Sequence, residues 1–395
     1  MASPVDQPSL INRFSIHLVI ASMALLVVVG LVMLASTGVY ATDGTGENYS
    51  GLKHQIVYVV LGLLVCVAFS LVDYHLWQRH VWVLFAGVTV LLVLCFVPGI
   101  GMRINGEARW ISGREFGMPW LRAQPSEAAK IVVMAFLGWW YARNGGFRHR
   151  LFRGFFIPLA VVAVPFFLIL FEKDLGSAVT IGIVTLAVLF IAGVRWSYLF
   201  GVGAAGFTAL AALVYQMPNR MGRVVALLDL EAHRADVGLQ QWRALLALGS
   251  GGLFGHGLGN GREKMFYMPF AHTDFIFPMI GEELGLAGTL SVVILFVVFV
   301  IFGMLVAMNA PDDFGRIFGA GIVVLVAVQA AMNIGVTTAV LPNTGLPLPF
   351  VSYGGSSLVC TMAIVGILIN IYRQGQNPDR MPTMRVRRAR VTPRL

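Results

Sequence analysis

The sequence predicts an all-α, polytopic membrane protein of about ten transmembrane helices with large extracytoplasmic loops. Three observations carry this. Hydrophobic residues make up 57% of the chain and charged ones only 12%, with a mean hydropathy of +0.79. Apolar runs recur at a length of about 18 residues or more, enough to cross roughly 30 Å of hydrocarbon as a helix. The short alternating segments of a β-barrel do not appear.

In order, the spans are expected near 15–38, 54–72, 80–98, 127–143, 152–170, 176–193, 197–215, 274–307, 315–340 and 355–373. The first is too long for a signal-peptide core and lacks a cleavage site, so it reads as an uncleaved span. The eighth is long enough to be tilted or partly interfacial. Arginines gather in alternate loops: Arg13, Arg79, the Arg143/Arg148/Arg150/Arg153 loop, Arg195, Arg316 and the tail after Arg373. The positive-inside rule makes that side cytoplasmic, with both termini inside. The other side receives Thr42–Lys53, Pro98–Ser126, Glu172–Asp174, Gln216–Thr273 and Leu341–Gly354. Residues 1–373 thus read as one transmembrane domain with a large outer loop at 216–273. Residues 374–395 read as a basic, disordered cytoplasmic tail on the inner leaflet.

The formal net charge is +9, but it sits where inner loops meet anionic lipid, and no nucleic-acid-binding motif accompanies it. Cys66, Cys95 and Cys360 lie in or beside apolar runs without disulfide or metal spacing, and behave as small hydrophobes.

Against this apolar background, Gly249 to Gly285 gathers glycines, basic residues, His272-Thr273-Asp274 and two glutamates. Thr273 or Asp274 reads equally well as the N-cap of the eighth span. A carboxylate at the outer interface is also placed to serve as a general base toward a substrate whose lipid tail stays in the bilayer. At roughly 100° per residue, Glu282 projects about 80° from Asp274 and Glu283 about 180° away, so only Glu282 is expected in the same cavity. Glu283 reads as a structural hydrogen-bonding group. The glycines of 251–261 either cradle phosphate through backbone N–H groups or let the loop fold tightly, and Arg262 and Lys264 are natural counter-charges for an anionic head group.

The outer loop 98–126 adds Arg103, Arg109, Arg114 and Arg122 beside Trp110 and Trp120. Outer arginines run against the positive-inside tendency, so they either bind an anionic ligand or pair with Glu107, Glu115 and Glu127. Arg109 and Lys130 are the favoured ligands, because an ammonium near the outer end of a span needs an anion. His256 and His272 are too far apart for a zinc site, and Asp174 reads as a helix cap.

The blocks VPGIGMRINGEARWI (97–111), QPSEAAK (124–130), GSGGLFGHGLGNGREK (249–264), AHTDFIFPMIGEELG (271–285) and LPNTGLPLPFVSYGGSS (341–357) resemble the SEDS family of polytopic peptidoglycan glycosyltransferases. The resemblance runs from about residue 15 to 373, and is strongest to the division branch, with the elongation branch as the alternative. It implies polymerisation of lipid II on the outer face of the bacterial cytoplasmic membrane, at the septum. The growing polyprenyl-diphosphate-linked glycan is the donor and the GlcNAc 4-hydroxyl of lipid II the attacking group. The family's essential aspartate falls on Asp274. His272, Thr273, Glu282, Ser352 and Tyr353 become substrate-facing positions, and Mg²⁺ or Mn²⁺ an implied cofactor without an assigned site. A class B penicillin-binding protein and other divisome proteins become implied partners. A lipid II flippase or a non-catalytic transpeptidase scaffold are the alternatives. Two departures stand out: Met268-Pro269-Phe270 where the family has Leu-Pro-Glu, and Lys173-Asp174 where it has Pro-Asp.

Overall fold

The computed structural model describes residues 10–38, 50–104, 107–112, 122–264 and 273–376. His272, Met268-Pro269-Phe270, Arg114, Glu115, Trp120 and the tail 377–395 lie outside them. The chain order is α1 (Leu10–Gly38), α2 (Ser50–Leu71), a short α3 (His75–Arg79) and α4 (Val81–Leu94). Strands β1 (Gly101–Ile104), β2 (Glu107–Ser112) and β3 (Arg122–Ala123) follow. Then come α5 (Pro125–Arg143), α6 (Ile157–Phe171), α7 (Leu175–Ile191), α8 (Trp196–Tyr215), α9 (Pro218–Leu228), α10 (Leu239–Ser250), α11 (Ile276–Met308), α12 (Asp313–Thr337) and α13 (Gly355–Gln376).

Each of the ten expected spans is a helix. Seven are long and apolar enough to cross a membrane on length and composition alone, and α4 and α7 are shorter apolar helices. The tenth, α5, carries Glu127, Lys130 and Arg143. Within its apolar window α12 is 72% buried whereas α8 is 0% buried, so α12 is the centre of the bundle and α8 its periphery. Around α12 pack α5, α7, α11 and α13, with α1 against α11 and α2 against α13. The last contact is close because a Cβ at Gly366 would sit 2.3 Å from the Cys66 carbonyl oxygen; small residues let membrane helices approach this far.

At the end of α12 remote from Asp274, Asp312 caps the helix by accepting from the Gly315 N–H at 2.8 Å. The Tyr74 hydroxyl donates to the same carboxylate, and His75 bridges Asp312 and Asp73 at 3.3 and 2.8 Å. That end is thereby tied to the α2–α3 turn.

Two loop expectations are corrected. Segment 98–126 holds an antiparallel three-stranded sheet in the order β1-β2-β3, with a register shift between Met102 and Arg103. Segment 216–273, read as one long loop, contains α9 and α10. Pro218 opens α9 at its first turn, where a missing N–H costs nothing. In α10, Ala244 and Ala247 form a buried i, i+3 stripe.

The eighth span is broken. Gly285 adopts φ 68°, ψ −164° inside α11, a region almost confined to glycine. The piece before it is buried throughout from Ile276 to Glu283. The piece after it, 286–308, is itself about 34 Å long at 1.5 Å per residue, enough to span. A break in apolar surroundings leaves backbone groups without partners, and lipid supplies none. The glycine loop supplies them: His256 and Gly257 donate to the Glu282 and Glu283 carbonyls at 3.0 Å each, and Leu286 and Ala287 donate to the Gly252 and Leu253 carbonyls at 2.9 and 3.1 Å. The approach is so tight that a Cβ on Gly285 would lie 2.4 Å from the Gly255 nitrogen.

Gly285→Ala should therefore destabilise the protein by about 3 kcal/mol or more, combining backbone strain with a clash against main chain. Gly87→Ala, in the interior of α4 with nothing near its added Cβ, should leave stability unchanged or raise it by up to about 1 kcal/mol. Thermal melts of the two variants in detergent check this pair.

Candidate active site

Asp274 precedes α11, whose N-cap is Phe275, a residue that makes no side-chain cap. Neither Thr273 nor Asp274 therefore occupies the N-cap position. Asp274 is half-buried, and its pKa is pushed up to about 6, chiefly by burial. Arg109 and Arg223 act against that rise, while Asp174 and Glu107 add to it.

Arg109 comes from β2. Its Nη2 lies 2.8 Å from Glu107 Oε2 and its Nη1 3.8 Å from Asp174 Oδ1. Sequence reasoning offered ligand or salt bridge for this arginine; it has the salt bridge and also sits in the field of Asp274. Arg220 and Arg223 were missed. They occupy α9, three residues apart and so on one face. Arg220 pairs with Glu107 at 2.9 Å, and Arg223 donates to the Asn343 carbonyl at 2.9 Å. Burial, then the neighbouring Arg220, lowers the Arg223 pKa from the usual guanidinium value. The signal in the sequence was the Pro218-Asn219-Arg220-Met221-Gly222-Arg223 run, a helix start followed by arginines at i, i+3.

Lys173 has φ 65°, a left-handed value that is unusual away from glycine. It turns the Lys173 carbonyl toward both Arg109 and Arg220, which donate to it at 2.9 and 3.0 Å. The exposed Lys173 side chain is not what this position contributes. Next to it, Asp174 caps α7 as expected, accepting from Ser177 N–H at 3.1 Å, and accepts from Gln124 Nε2 at 3.1 Å. Glu172 is 1% exposed, and its pKa is pushed up to about 8, first by burial and then by Asp174. It is protonated at neutral pH. Three guanidiniums thus meet three ionisable acids, Glu107, Asp174 and Asp274, around one point.

Other expected site residues fall elsewhere. Glu282 does not look toward Asp274: its carboxylate accepts the Arg262 and Glu263 N–H groups at 2.6 and 3.2 Å. Glu283 is structural, as expected, and takes Lys264 Nζ at 2.5 Å and the Ser36 hydroxyl at 2.7 Å. Lys264 is consequently a buried partner of Glu283, whereas the Arg262 side chain is exposed. The N–H of Gly259 also goes to Glu283, at 2.9 Å. The glycine loop spends these N–H groups on α11, so they make no phosphate cradle. Lys130 is buried and paired with Glu127 at 2.6 Å. Ser352 donates its hydroxyl to the Thr273 carbonyl and accepts from Leu348 N–H at 2.9 Å. It braces Thr273, the residue before Asp274. Tyr353 is half-buried at the foot of α13. Among the described residues no group of three or more His, Cys, Asp or Glu side chains could hold a metal ion.

The fold and site define a polytopic helical membrane protein with a carboxylate–arginine centre built by β2, α9 and the residues that lead into α7 and α11. The cell cycle protein family model for FtsW, RodA and SpoVE matches residues 16–377, and the chain belongs to that family. It is 37% identical over 361 residues to the "probable peptidoglycan glycosyltransferase FtsW" of Geobacter metallireducens, covering 91% of this chain and 95% of that one. It is 35% identical over 350 residues to stage V sporulation protein E of Bacillus subtilis, covering 88% and 94%. Among solved structures, a chain of a peptidoglycan synthase complex superposes with a TM-score of 0.72 at 25% identity, covering 91% of this chain and 98% of that one. The rod shape determining protein RodA of Thermus thermophilus gives 0.65 at 26% identity, covering 90% and 96%.

The two basic residues that flank Glu263 in the glycine loop should respond differently to mutation. Lys264→Met leaves Glu283 charged and buried and should cost about 3–5 kcal/mol. Arg262→Ala, at an exposed side chain, should stay within about 0.5 kcal/mol. Equal thermal midpoints for the two variants would contradict the buried pairing.

Proposed function

We propose that this chain is a peptidoglycan glycosyltransferase that polymerises lipid II on the outer face of the cytoplasmic membrane during septal wall synthesis, with both termini in the cytoplasm. The activity is supported by the named relatives and by family membership. The single observation that carries the mechanism is Asp274, a half-buried carboxylate with a pKa pushed up to about 6, beside Arg109 and Arg223. That value suits a general base working near neutral pH.

Asp274 takes the proton from the GlcNAc 4-hydroxyl of the acceptor. The freed oxygen attacks the anomeric carbon of the donor glycan, whose bond to the polyprenyl diphosphate breaks with inversion. The electron pair leaves on the diphosphate. Because the donor is already activated, the protein need only align the reactants, accept one proton and neutralise the departing anion. Arg109, Arg220 and Arg223 are the residues placed for the last task, in preference to Lys130, Arg262 and Lys264, whose positions are given above.

A divalent cation, Mg²⁺ or Mn²⁺, completes the proposal. The described residues do not fit an all-protein cage, but Mg²⁺ is commonly held by substrate phosphates with one or two carboxylates. Asp174 would be the carboxylate that shares in holding it, and the ion would supply charge neutralisation at the diphosphate. A class B penicillin-binding protein is the proposed partner, supported by the likeness to a chain of a peptidoglycan synthase complex.

Burial raises the Asp274 pKa, so its ionised fraction falls as the pH drops through about 6. The polymerisation rate of the protein with its transpeptidase should be level above about pH 7 and half-maximal near pH 6. Asp274→Asn should remove activity by about a thousandfold or more, leaving no pH-dependent rise. Product ladders on gels, made from lipid II with Mg²⁺ or Mn²⁺, measure both. Polymer from Asp274→Asn at the wild-type rate would reject the base. Lipid II scrambling in liposomes without polymer would favour a flippase.

A further inference from the structure

We propose that Asn333 is the positioning residue that holds Asp274 in its working geometry, a role that rests on Asp274 being the general base. Asp274 stands immediately before the N-cap Phe275, outside the helix, so its carbonyl takes no part in the helix's own hydrogen-bond ladder, which begins at the N-cap carbonyl. The carbonyl therefore needs a donor from elsewhere, because a buried backbone acceptor left unpaired is costly.

Asn333 supplies it. From α12, with 1% of its surface exposed, its Nδ2 lies 2.8 Å from the Asp274 carbonyl and 2.7 Å from the Leu346 carbonyl. Both partners can only accept, so the amide orientation is fixed by its chemistry. One NH₂ group thus joins the residue bearing the carboxylate to the loop opposite. That loop runs close behind the carboxylate: at Gly345, with φ 70°, an added Cβ would lie 3.4 Å from Asp274 Oδ2. Ser352 braces the preceding residue through the Thr273 carbonyl. Two side chains therefore hold consecutive carbonyls, and Asn333 reaches its own from the most buried of the long apolar helices. Loss of that amide frees the Asp274 backbone to rotate and carries the carboxylate away from the hydroxyl it must deprotonate.

The test uses the purified full chain with its transpeptidase and lipid II, with kcat counted per folded molecule. Asn333→Ala and Asn333→Asp each remove the donor and should lower kcat on the order of tenfold to a hundredfold, with KM within about twofold. The decisive variant is Asn333→Gln, which keeps an NH₂ donor and should retain more kcat than Asn333→Ala; equal kcat in the two variants overturns the proposal. Wild-type kcat in Asn333→Ala overturns the proposal and leaves the glycosyltransferase reading standing. So does a raised KM at unchanged kcat, which would make Asn333 a substrate contact. A wild-type protein that makes no polymer overturns both.

Discussion

A helix broken inside an apolar bundle must have its freed backbone groups satisfied by protein, and most of this site follows from how that is done at Gly285. The break shortens the spanning part of α11 and leaves its first piece, buried from Ile276 to Glu283, as a stub inside the protein. Both faces of the break are stitched to the glycine loop by main-chain hydrogen bonds. The two glutamates on the stub then serve as acceptors, one for Arg262 and Glu263, the other for Gly259, Lys264 and Ser36. Buried carboxylates are costly unless paired and hydrogen-bonded, and these two are both. Glu282, expected to face the substrate, forms a clasp together with Glu283. Its product is a fixed starting point for the chain entering α11, which is where Asp274 sits.

Asn333 acts on the same segment from the other direction. The Asp274 carbonyl lies before the N-cap, outside the helix ladder, and Asn333 takes it as an acceptor. The residue before the N-cap is thereby placed by tertiary contacts and not by helix geometry. This explains why α12, at the centre of the bundle, matters to a carboxylate on a different element.

Much of the fold was legible because length and apolarity are strong signals: all ten spans appear near their expected places. Asp274 was legible because a charged cluster is conspicuous in so apolar a chain. The placement of Glu282 was not, since the 100° rule was extended through Asp274, which precedes the helix. Once the rotation is measured from Phe275 onward, no angular relation between the two carboxylates is implied. Arg220 and Arg223 were hidden because 216–273 was read as loop from its polarity, while α9 and α10 are short amphipathic helices whose apolar stripes are diluted by charge. Nothing in the sequence announced that the glycine loop's N–H groups would be used up within the protein. Glycine content reports conformational freedom, not the partner that freedom serves.

The electrostatics of the centre follow from this economy of partners. Arg109 and Arg220 share Glu107, and both donate to the Lys173 carbonyl, whose left-handed backbone aims it at them. Asp174 is held by the α7 N-terminus and Gln124. Asp274, in contrast, feels Arg109 and Arg223 only as neighbouring fields, and burial outweighs them. A carboxylate paired as tightly as Glu107 would be too weak a base to take a sugar hydroxyl's proton; one buried with no cation nearby would stay protonated. Asp274 lies between these limits because the arginines closest to it have other acceptors. The salt bridges that seemed to compete with function are what leave its basicity intact.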